Sequence, residues 1–288
     1  MQNHIELTYD DILSLEPVTV ARFIECAGNG RGLFAIQQGQ MAMGGQWLLG
    51  AVGVAEWTGA RLSDVLDLAG LKNTAVDVMP IGLDDKFQAF GHVRRPFPIE
   101  KALEDDTLVV YAMNGQPLLN DHGFPVRMLV PGWVGIANVK WVGEIRVSHK
   151  PLMSPFNTNL YRLFGDDYPP EGVLLTNQAV KSAFELPFPA QLSAGRHVLH
   201  GRSWSGTGKI HEVQVSVDGH HWKQAELVGA NKPEAWTRWK FAWNAPPGKH
   251  VLRARATDQD GRVQPDEVPF NTQGYLFWAV VDHHVTVM

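Results

Sequence analysis

The chain carries its only cysteine in the stretch Phe23-Ile24-Glu25-Cys26-Ala27-Gly28-Asn29-Gly30-Arg31. A cysteine thiolate is a soft ligand that binds transition metals strongly. The glycines leave room for a bulky group to approach the backbone, because they have no Cβ. Arg31 adds a planar, permanently charged guanidinium group, which suits the binding of a tetrahedral or pyramidal oxyanion. The stretch therefore predicts a metal-binding turn beside an anion-binding side chain.

Other short motifs follow this stretch along the chain. They are WLLGAVGVAEWTG at 47–59, NGQPL at 114–118, DHGFPVR at 121–127, PGWVG at 131–135, VKW at 139–141, WSG at 204–206 and VSVDG at 215–219. Together with the cysteine turn, and in this order, they resemble the sulfite oxidase family of molybdenum enzymes. The signature of that family is one cysteine in a C-A-G-N-x-R turn, and the resemblance covers nearly the whole chain.

The pattern of the sequence changes at about residue 168. Before it, helical and strand patterns alternate, which indicates an α+β fold; after it, prolines break the chain and strands recur at short spacing. The resemblance implies a mixed α/β molybdopterin-binding domain over 1–167, followed by an immunoglobulin-like β-sandwich for dimerisation over 168–288. Alternation of Val213, Val215 and Val217 fits an antiparallel sandwich.

Several individual elements can be predicted from local patterns. We expect helices at 10–15 and 63–70, with Ser63 as the N-cap candidate of the second. We expect strands at 108–111, 126–130, 197–201, 210–217, 239–242, 250–256 and 279–287. Adjacent histidines occur at 220–221 and 283–284; neighbours on a strand point to opposite sides, so neither pair predicts a metal site. Solvated surface positions are the expectation for both pairs.

The resemblance assigns four residues to the reaction centre. Cys26 is implied as the thiolate ligand of a molybdenum-pyranopterin cofactor, although a lone cysteine is otherwise typical of a small buried hydrophobe. Arg31 is implied as the substrate-binding arginine, and its alternative is a solvated surface arginine. Trp47 resembles a pocket tryptophan, and its alternative is an ordinary core tryptophan. Tyr161 lies 21 residues after Lys140, as the family's active-site tyrosine does, and its alternative is a packing residue between domains.

A second group is implied in cofactor binding. His122, Arg127 and Lys140 resemble residues that hold the pterin and its terminal phosphate, for which cationic side chains are well suited. The alternative for each of them is an ordinary surface or hydrogen-bonded polar residue. Asp84 or Asp85 is a further candidate for contacting the pterin ring, and the sequence does not distinguish between the two.

Composition limits the other classes of function. With 44% hydrophobic residues and a net charge of -5, the 288-residue chain has no general basic field for nucleic acid. Its longest apolar stretches, 47–55 and 128–137, are shorter than the roughly 20 residues of a membrane span. One cysteine excludes a c-type haem attachment motif within this sequence, so a cytochrome acceptor would be a separate protein. The start has no signal-peptide pattern, while the resemblance favours the periplasm.

The preferred functional interpretation is oxidation of sulfite to sulfate with electrons passing to that cytochrome, by a homodimeric molybdopterin enzyme. One alternative is another sulfur substrate, such as a sulfane or a sulfoxide, because Asn271-Thr272-Gln273-Gly274 replaces an Asn-Leu-Arg-Gly run of animal relatives. A second alternative is a cofactor-free dimeric binding protein, since part of the family's segment upstream of the cysteine would precede Met1.

Overall fold

The structure is a computed structural model that describes residues 3–85 and 88–288. For Gln88 it describes the backbone but not the side chain. In the described residues the α-helices are α1 (Tyr9–Leu13), α2 (Arg31–Gln38), α3 (Leu62–Leu68), α4 (Ile99–Ala102) and α5 (Pro155–Thr158). Short 3-10 helices occupy Gln88–Phe90, Asn120–His122 and Gly135–Ala137. No helix within these residues has the length and apolar character required to cross a membrane.

Strands make up most of the regular structure. The first ten are β1 (Pro17–Glu25), β2 (Val52–Arg61), β3 (Asp77–Gly82), β4 (Phe97–Pro98), β5 (Leu108–Met113), β6 (Gln116–Pro117), β7 (Arg127–Leu129), β8 (Val142–Ser148), β9 (Arg162–Leu163) and β10 (Val173–Leu174). The remainder are β11 (Lys181–Phe184), β12 (Ala190–Leu192), β13 (Gly195–Trp204), β14 (Ile210–Ser216), β15 (Lys223–Gln224), β16 (Glu226–Val228), β17 (Thr237–Ala245), β18 (Gly248–Asp258) and β19 (His283–Val287).

The chain divides into two compact units. The first unit contains the chain up to Ala27, Gly53–Arg162 and Val173–Thr176. One of its sheets has the order β1-β2-β5-β6 with β7 added beside β5, and the other has the order β4-β3-β8. Helix α3 presents Leu62, Val65 and Leu66 on one face, at the spacing of neighbouring helical turns, and this face is part of the main core.

The second unit contains Gly28–Val52, Leu163–Gly172 and Asn177–Met288. It holds a four-stranded sheet of order β11-β13-β17-β16 and a five-stranded sheet of order β12-β19-β18-β14-β15. The two sheets share their cores: Leu199 and Trp243 of the first pack in one cluster with Leu252 and Val285 of the second. Apolar burial between the sheets, at about 25 cal/mol per Å² of apolar surface, stabilises this arrangement.

The strands of the second unit largely follow the predicted pattern, with two exceptions. The strand predicted at 279–287 begins only at His283, where β19 starts. Most neighbours are antiparallel, with β13 and β17 paired from Gly195 to Ser203. Strand β12, however, runs parallel to β19, because it pairs Ala190 with Val285 and Leu192 with Val287. The sheets are therefore not purely antiparallel, and the immunoglobulin-like classification stays a prediction.

Two local predictions are wrong. Helix α3 has Arg61, not Ser63, at its N-cap position, because β2 runs directly into the helix and the Leu62 amide bonds the Thr107 carbonyl. His283 is 5% exposed rather than solvated, since it points to the inner face of β19. His284 is exposed, which agrees with the expected alternation of neighbours on a strand.

Candidate functional site

In the first unit, Cys26 comes directly after β1 and is an exposed free thiol. The 3-10 turn at Gly135–Ala137 packs against its backbone. A Cβ placed on Gly135 would lie 2.8 Å from the Glu25 carbonyl oxygen and 3.5 Å from the Cys26 Cα. Only glycine allows this approach without displacing one of the two segments. The close packing therefore fixes the backbone that carries the thiol.

The loop 131–141, which includes this turn, also borders the predicted phosphate-binding residues. The Asn138 side-chain oxygen accepts a 2.8 Å hydrogen bond from the Val130 amide, and its carbonyl accepts one of 3.2 Å from Arg127 Nη2. Arg127 Nη1 donates to the His122 carbonyl at 3.0 Å. Arg127 and His122 are thus brought together beside the same loop whose Gly135 contacts the cysteine.

Arg127 is a buried cation, with 7% of its surface exposed, and its guanidinium lies 5.1 Å from the ring of Trp57. Its Nε atom is buried without a hydrogen-bond partner. Burial lowers its pKa to about 10, because removal from water disfavours the charged form. Among the residues that the structure describes, no carboxylate forms an ion pair with it.

Lys140 supplies a second cation at the end of the same loop. Its Nζ donates to the Asp121 carbonyl at 2.8 Å and lies 4.1 Å from the Trp141 ring. Its pKa is lowered, first by burial and then by the nearby positive charge of Arg127, while Asp121 and Asp84 oppose this shift. The effect of the Arg127 charge on the pKa of Lys140 indicates a local concentration of positive charge.

The two candidate aspartates differ in their surroundings. The carboxylate of Asp84 accepts hydrogen bonds of 3.1 and 3.2 Å from the Val93 amide and is near enough to affect the pKa of Lys140. Asp85 is exposed, and no such interaction links it to Lys140. Asp84 is therefore the better candidate for a contact with the pterin.

Tyr161 is connected to loop 131–141 by backbone hydrogen bonds. Its carbonyl accepts from the Leu175 amide at 3.0 Å, and the neighbouring Thr176 carbonyl accepts from the Val134 amide at 2.8 Å. Tyr161 has φ 55°, a left-handed conformation that is unfavourable for a residue with a bulky side chain. Such backbone strain concentrates at functional sites, where the surrounding structure maintains it.

These residues fit a molybdopterin cofactor. The donor set combines an exposed thiolate-forming side chain with a buried guanidinium that has one orphaned nitrogen and no acidic partner among the described residues. A phosphate is a suitable partner for such a guanidinium, because charge-assisted hydrogen bonds are the strong ones. No group of three or more histidine, cysteine or acidic side chains capable of holding a metal occurs in the described part of the chain.

In the second unit, Arg31 is the first residue of α2 and is 9% exposed. Its Nε donates to the Gln273 carbonyl at 2.9 Å and its Nη1 to the Gly45 carbonyl at 3.0 Å. Its Nη2 has no acceptor among the residues that the structure describes, and a Cβ on Gly28 would lie 2.6 Å from it. Arg31 is therefore not a solvated surface residue, because its guanidinium joins two segments of the second unit.

Trp47 is 53% exposed, so its alternative assignment to the core is wrong. Its backbone is nevertheless held in place, because its carbonyl accepts a 2.9 Å hydrogen bond from the Gly32 amide in the first turn of α2. The next residue, Leu48, similarly accepts from the Gly30 amide at 2.9 Å. The backbone amides on either side of Arg31 thus hold the segment that carries Trp47.

Sequence motifs located these residues but missed those that support them. Trp57, which lies against Arg127, belongs to a matched motif, yet nothing in its spacing indicates that contact. Asn138, which accepts from Arg127 and caps the Val130 amide, lies between two motifs and carried no signal. Gly135 could have been singled out, because a glycine at a motif's end often marks close backbone packing.

Comparisons with protein families divide the chain in two. Residues 1–156 match the family model described as an oxidoreductase molybdopterin-binding domain. Residues 179–286 match the model described as a Mo-co oxidoreductase dimerisation domain. The first match covers the thiol, the cationic residues and Trp47, but ends before Tyr161.

Individual relatives agree with the family match. Mitochondrial sulfite oxidase from Rattus norvegicus is 33% identical over 309 residues, which cover 99% of this chain and 55% of the relative. The Homo sapiens enzyme is 34% identical over 306 residues, covering 98% and 55%. The chain spans about half the length of these curated relatives. A crystal structure of the sulfane dehydrogenase SoxCD from Paracoccus pantotrophus aligns with a TM-score of 0.84 at 30% identity, covering 97% of this chain and 72% of that one.

Proposed function

We propose, since the chain belongs to the molybdopterin-binding oxidoreductase family, that it oxidises sulfite to sulfate by oxygen-atom transfer. Two cations carry this proposal, one in each unit. Arg127 is a buried positive charge suited to the phosphate of a cofactor. Arg31 keeps one guanidinium nitrogen for a further anion, such as the oxyanion of a substrate.

The cofactor would be held mainly by the first unit. Cys26 would ligate the metal, and Arg127, Lys140 and His122 would hold the pterin and its phosphate, with Asp84 at the pterin ring. When bound, a molybdenum-pyranopterin supplies two-electron oxygen-atom transfer. The desolvated environment of Arg127 strengthens its interaction with an anion, because charges attract more strongly where the effective dielectric constant is low.

The substrate would be bound by three side chains. Arg31 Nη2 donates to a sulfite oxygen, and the two carbonyls that hold its other nitrogens orient the guanidinium plane before substrate arrives. The phenol of Tyr161 donates a hydrogen bond to the oxyanion and relays a proton. The ring of Trp47, which is 53% exposed, would supply an apolar contact to the substrate.

We infer a cytochrome as the electron acceptor, as the resemblance to the sulfite oxidase family implies. The dimerisation-domain match at 179–286 supports a homodimer formed through the second unit. The core shared by the two sheets of that unit supports an immunoglobulin-like sandwich as its architecture. Both inferences concern the assembled protein and are testable independently of the substrate.

Steady-state sulfite oxidation with an artificial electron acceptor tests the proposal. We expect Arg31→Gln to lower kcat/KM by roughly 10²-fold, because a charge-assisted hydrogen bond contributes a few kcal/mol to substrate binding and transition-state stabilisation. Arg196→Gln, at an exposed position, is the matched control and should leave kcat/KM unchanged. Unaltered sulfite kinetics in Arg31→Gln, at unchanged cofactor content, would reject Arg31 as the substrate-binding residue.

A second candidate is a different sulfur substrate, such as a sulfane or a sulfoxide. Gln273 stands where animal relatives of the family carry an arginine, so the pocket would hold one cation fewer. If sulfite is the substrate, Gln273→Arg should tighten sulfite binding. The other sulfur substrate is preferred over sulfite if two results are obtained together. The activity on a neutral sulfoxide would exceed that on sulfite, and Arg31→Gln would lower the sulfoxide activity while leaving sulfite kinetics unchanged.

A further inference from the structure

The second unit contains an apolar cavity that the proposed reaction does not use. Its volume is about 230 Å³, and aliphatic side chains such as Leu33 and Leu49 line it together with the rings of Phe184 and Phe188. Leu48 and Gly50 also line it and are exposed, so the cavity reaches the surface at that segment. A cavity of roughly 150 Å³ with apolar walls is enough to bind benzene, so this one can accommodate a substituted aromatic ring.

His283 provides a hydrogen-bond acceptor in this cavity. Its Nε2 lies 2.8 Å from the Pro187 carbonyl, which can only accept, so Nε2 carries the proton and donates. Its Nδ1 is therefore an acceptor, and no described residue donates to it. Burial lowers the pKa of His283, with a smaller contribution from the nearby His284, and the imidazole is neutral near pH 7.

Ser182 provides a hydrogen-bond donor. The indole N–H of Trp239 donates to Ser203 Oγ at 3.0 Å, and the Ser203 hydroxyl in turn donates to Ser182 Oγ at 2.8 Å. The Ser182 hydroxyl proton has no acceptor among residues 3–85 and 88–288. Ser182 is 2% exposed and lines the cavity, so this donor is available to a molecule inside it.

We propose that this cavity is a binding site for a small neutral aromatic molecule that carries one hydroxyl group, of the phenol class. The hydroxyl would donate to His283 Nδ1 and accept from Ser182, so that both unsatisfied polar groups gain a partner. The ring would lie among apolar walls, against Phe184 and Phe188, whose rings are 5.5 and 5.2 Å from that of His283. Charged ligands are disfavoured, because no charged side chain lines the cavity.

Titration of the intact protein with 4-fluorophenol, followed by fluorine NMR, tests the proposal. We expect saturable binding that is about tenfold tighter than that of fluorobenzene, which fills the same space without a hydroxyl group. His283→Phe keeps a planar ring and removes the acceptor, so the preference for 4-fluorophenol should fall by about tenfold. Ser182→Ala should weaken the binding of 4-fluorophenol several-fold. His284→Ala, at the exposed residue next to His283, should bind 4-fluorophenol like the wild type.

Two results would overturn the site. One is absence of saturable binding of 4-fluorophenol by the wild-type protein up to about 10 mM. The other is equal affinity of the wild type for 4-fluorophenol and fluorobenzene, together with an unchanged affinity of Ser182→Ala for 4-fluorophenol. These measurements decide the question even if His283→Phe does not fold, and they require no enzyme activity, so their outcome is independent of the proposed reaction.

Discussion

At the scale of single residues, Arg127 is a buried cation whose environment favours a bound anion. Transfer of an unpaired cation from water to the protein interior costs several kcal/mol unless hydrogen bonds or an opposite charge offset it. The carbonyls of His122 and Asn138 and the ring of Trp57 offset part of that cost. One nitrogen remains unsatisfied, and a bound phosphate would satisfy it while supplying the missing negative charge.

We therefore expect Arg127→Gln to lower cofactor occupancy by at least about tenfold, since residues that support a bound group typically contribute that much to its affinity. The measurement is pterin fluorescence and molybdenum content of the purified protein. Arg146→Gln, at an exposed arginine of β8, should retain wild-type occupancy. Equal occupancy in both variants would remove Arg127 from the cofactor site.

At the scale of elements, loop 131–141 connects the parts of the first unit that the proposed function uses. Its turn contacts the backbone of Cys26, and its Asn138 accepts from Arg127. Its Val134 amide donates to the carbonyl of Thr176, the residue after Leu175, whose amide donates to the Tyr161 carbonyl. The strongest constraint in this loop is steric. We therefore expect displacement of Gly135 to move the backbone that carries the thiol.

Gly135→Ala tests this constraint. The added Cβ would lie 2.8 Å from the Glu25 carbonyl oxygen, closer than real contacts allow, so we expect loss of cofactor with destabilisation of about 1–3 kcal/mol. Gly53→Ala is a suitable control, because a Cβ there meets nothing within 4 Å. Thermal unfolding and molybdenum content, measured on both variants, distinguish the two effects. Normal occupancy in Gly135→Ala would show that the close approach does not determine where the thiol lies.

Sequence patterns predicted some elements well and others not at all. Alternation placed β14 and β18 correctly, because each has one face in the core and one in solvent. Strand β1 was missed, since its residues Pro17–Glu25 do not alternate cleanly between buried and exposed. The surface assignment of His283 was wrong because a histidine has no fixed preference, and its burial depends on phenylalanines far away in sequence.

In the candidate site, too, some features could be predicted from the sequence and others could not. The motif around Cys26 identifies the thiol and Arg31, because the functional residue types lie close together in sequence. It does not indicate that the Arg31 guanidinium bonds the Gln273 carbonyl, 242 residues further along the chain. Nor does any spacing reveal that Arg127 has no acidic partner in the described residues. Contacts of this kind depend on the fold rather than on local sequence.

At the scale of the whole molecule, each unit has its own core, and the second matches a dimerisation domain. We expect sedimentation equilibrium to give about twice the mass of the 32.0 kDa chain at micromolar concentration. Such a mass would agree with an isologous dimer through the second unit. A single-chain mass at these concentrations would contradict the dimer, although it would leave the cofactor assignment intact.

The molybdenum content of the protein, purified from a host that makes molybdopterin, tests the central claim most directly. We expect one molybdenum with its pterin per chain in the wild type. We also expect loss of sulfite turnover in Cys26→Ser, whose hydroxyl is a poorer ligand for the metal than a thiolate. Well-folded wild-type protein that contains neither molybdenum nor pterin would contradict the account and favour a cofactor-free binding protein.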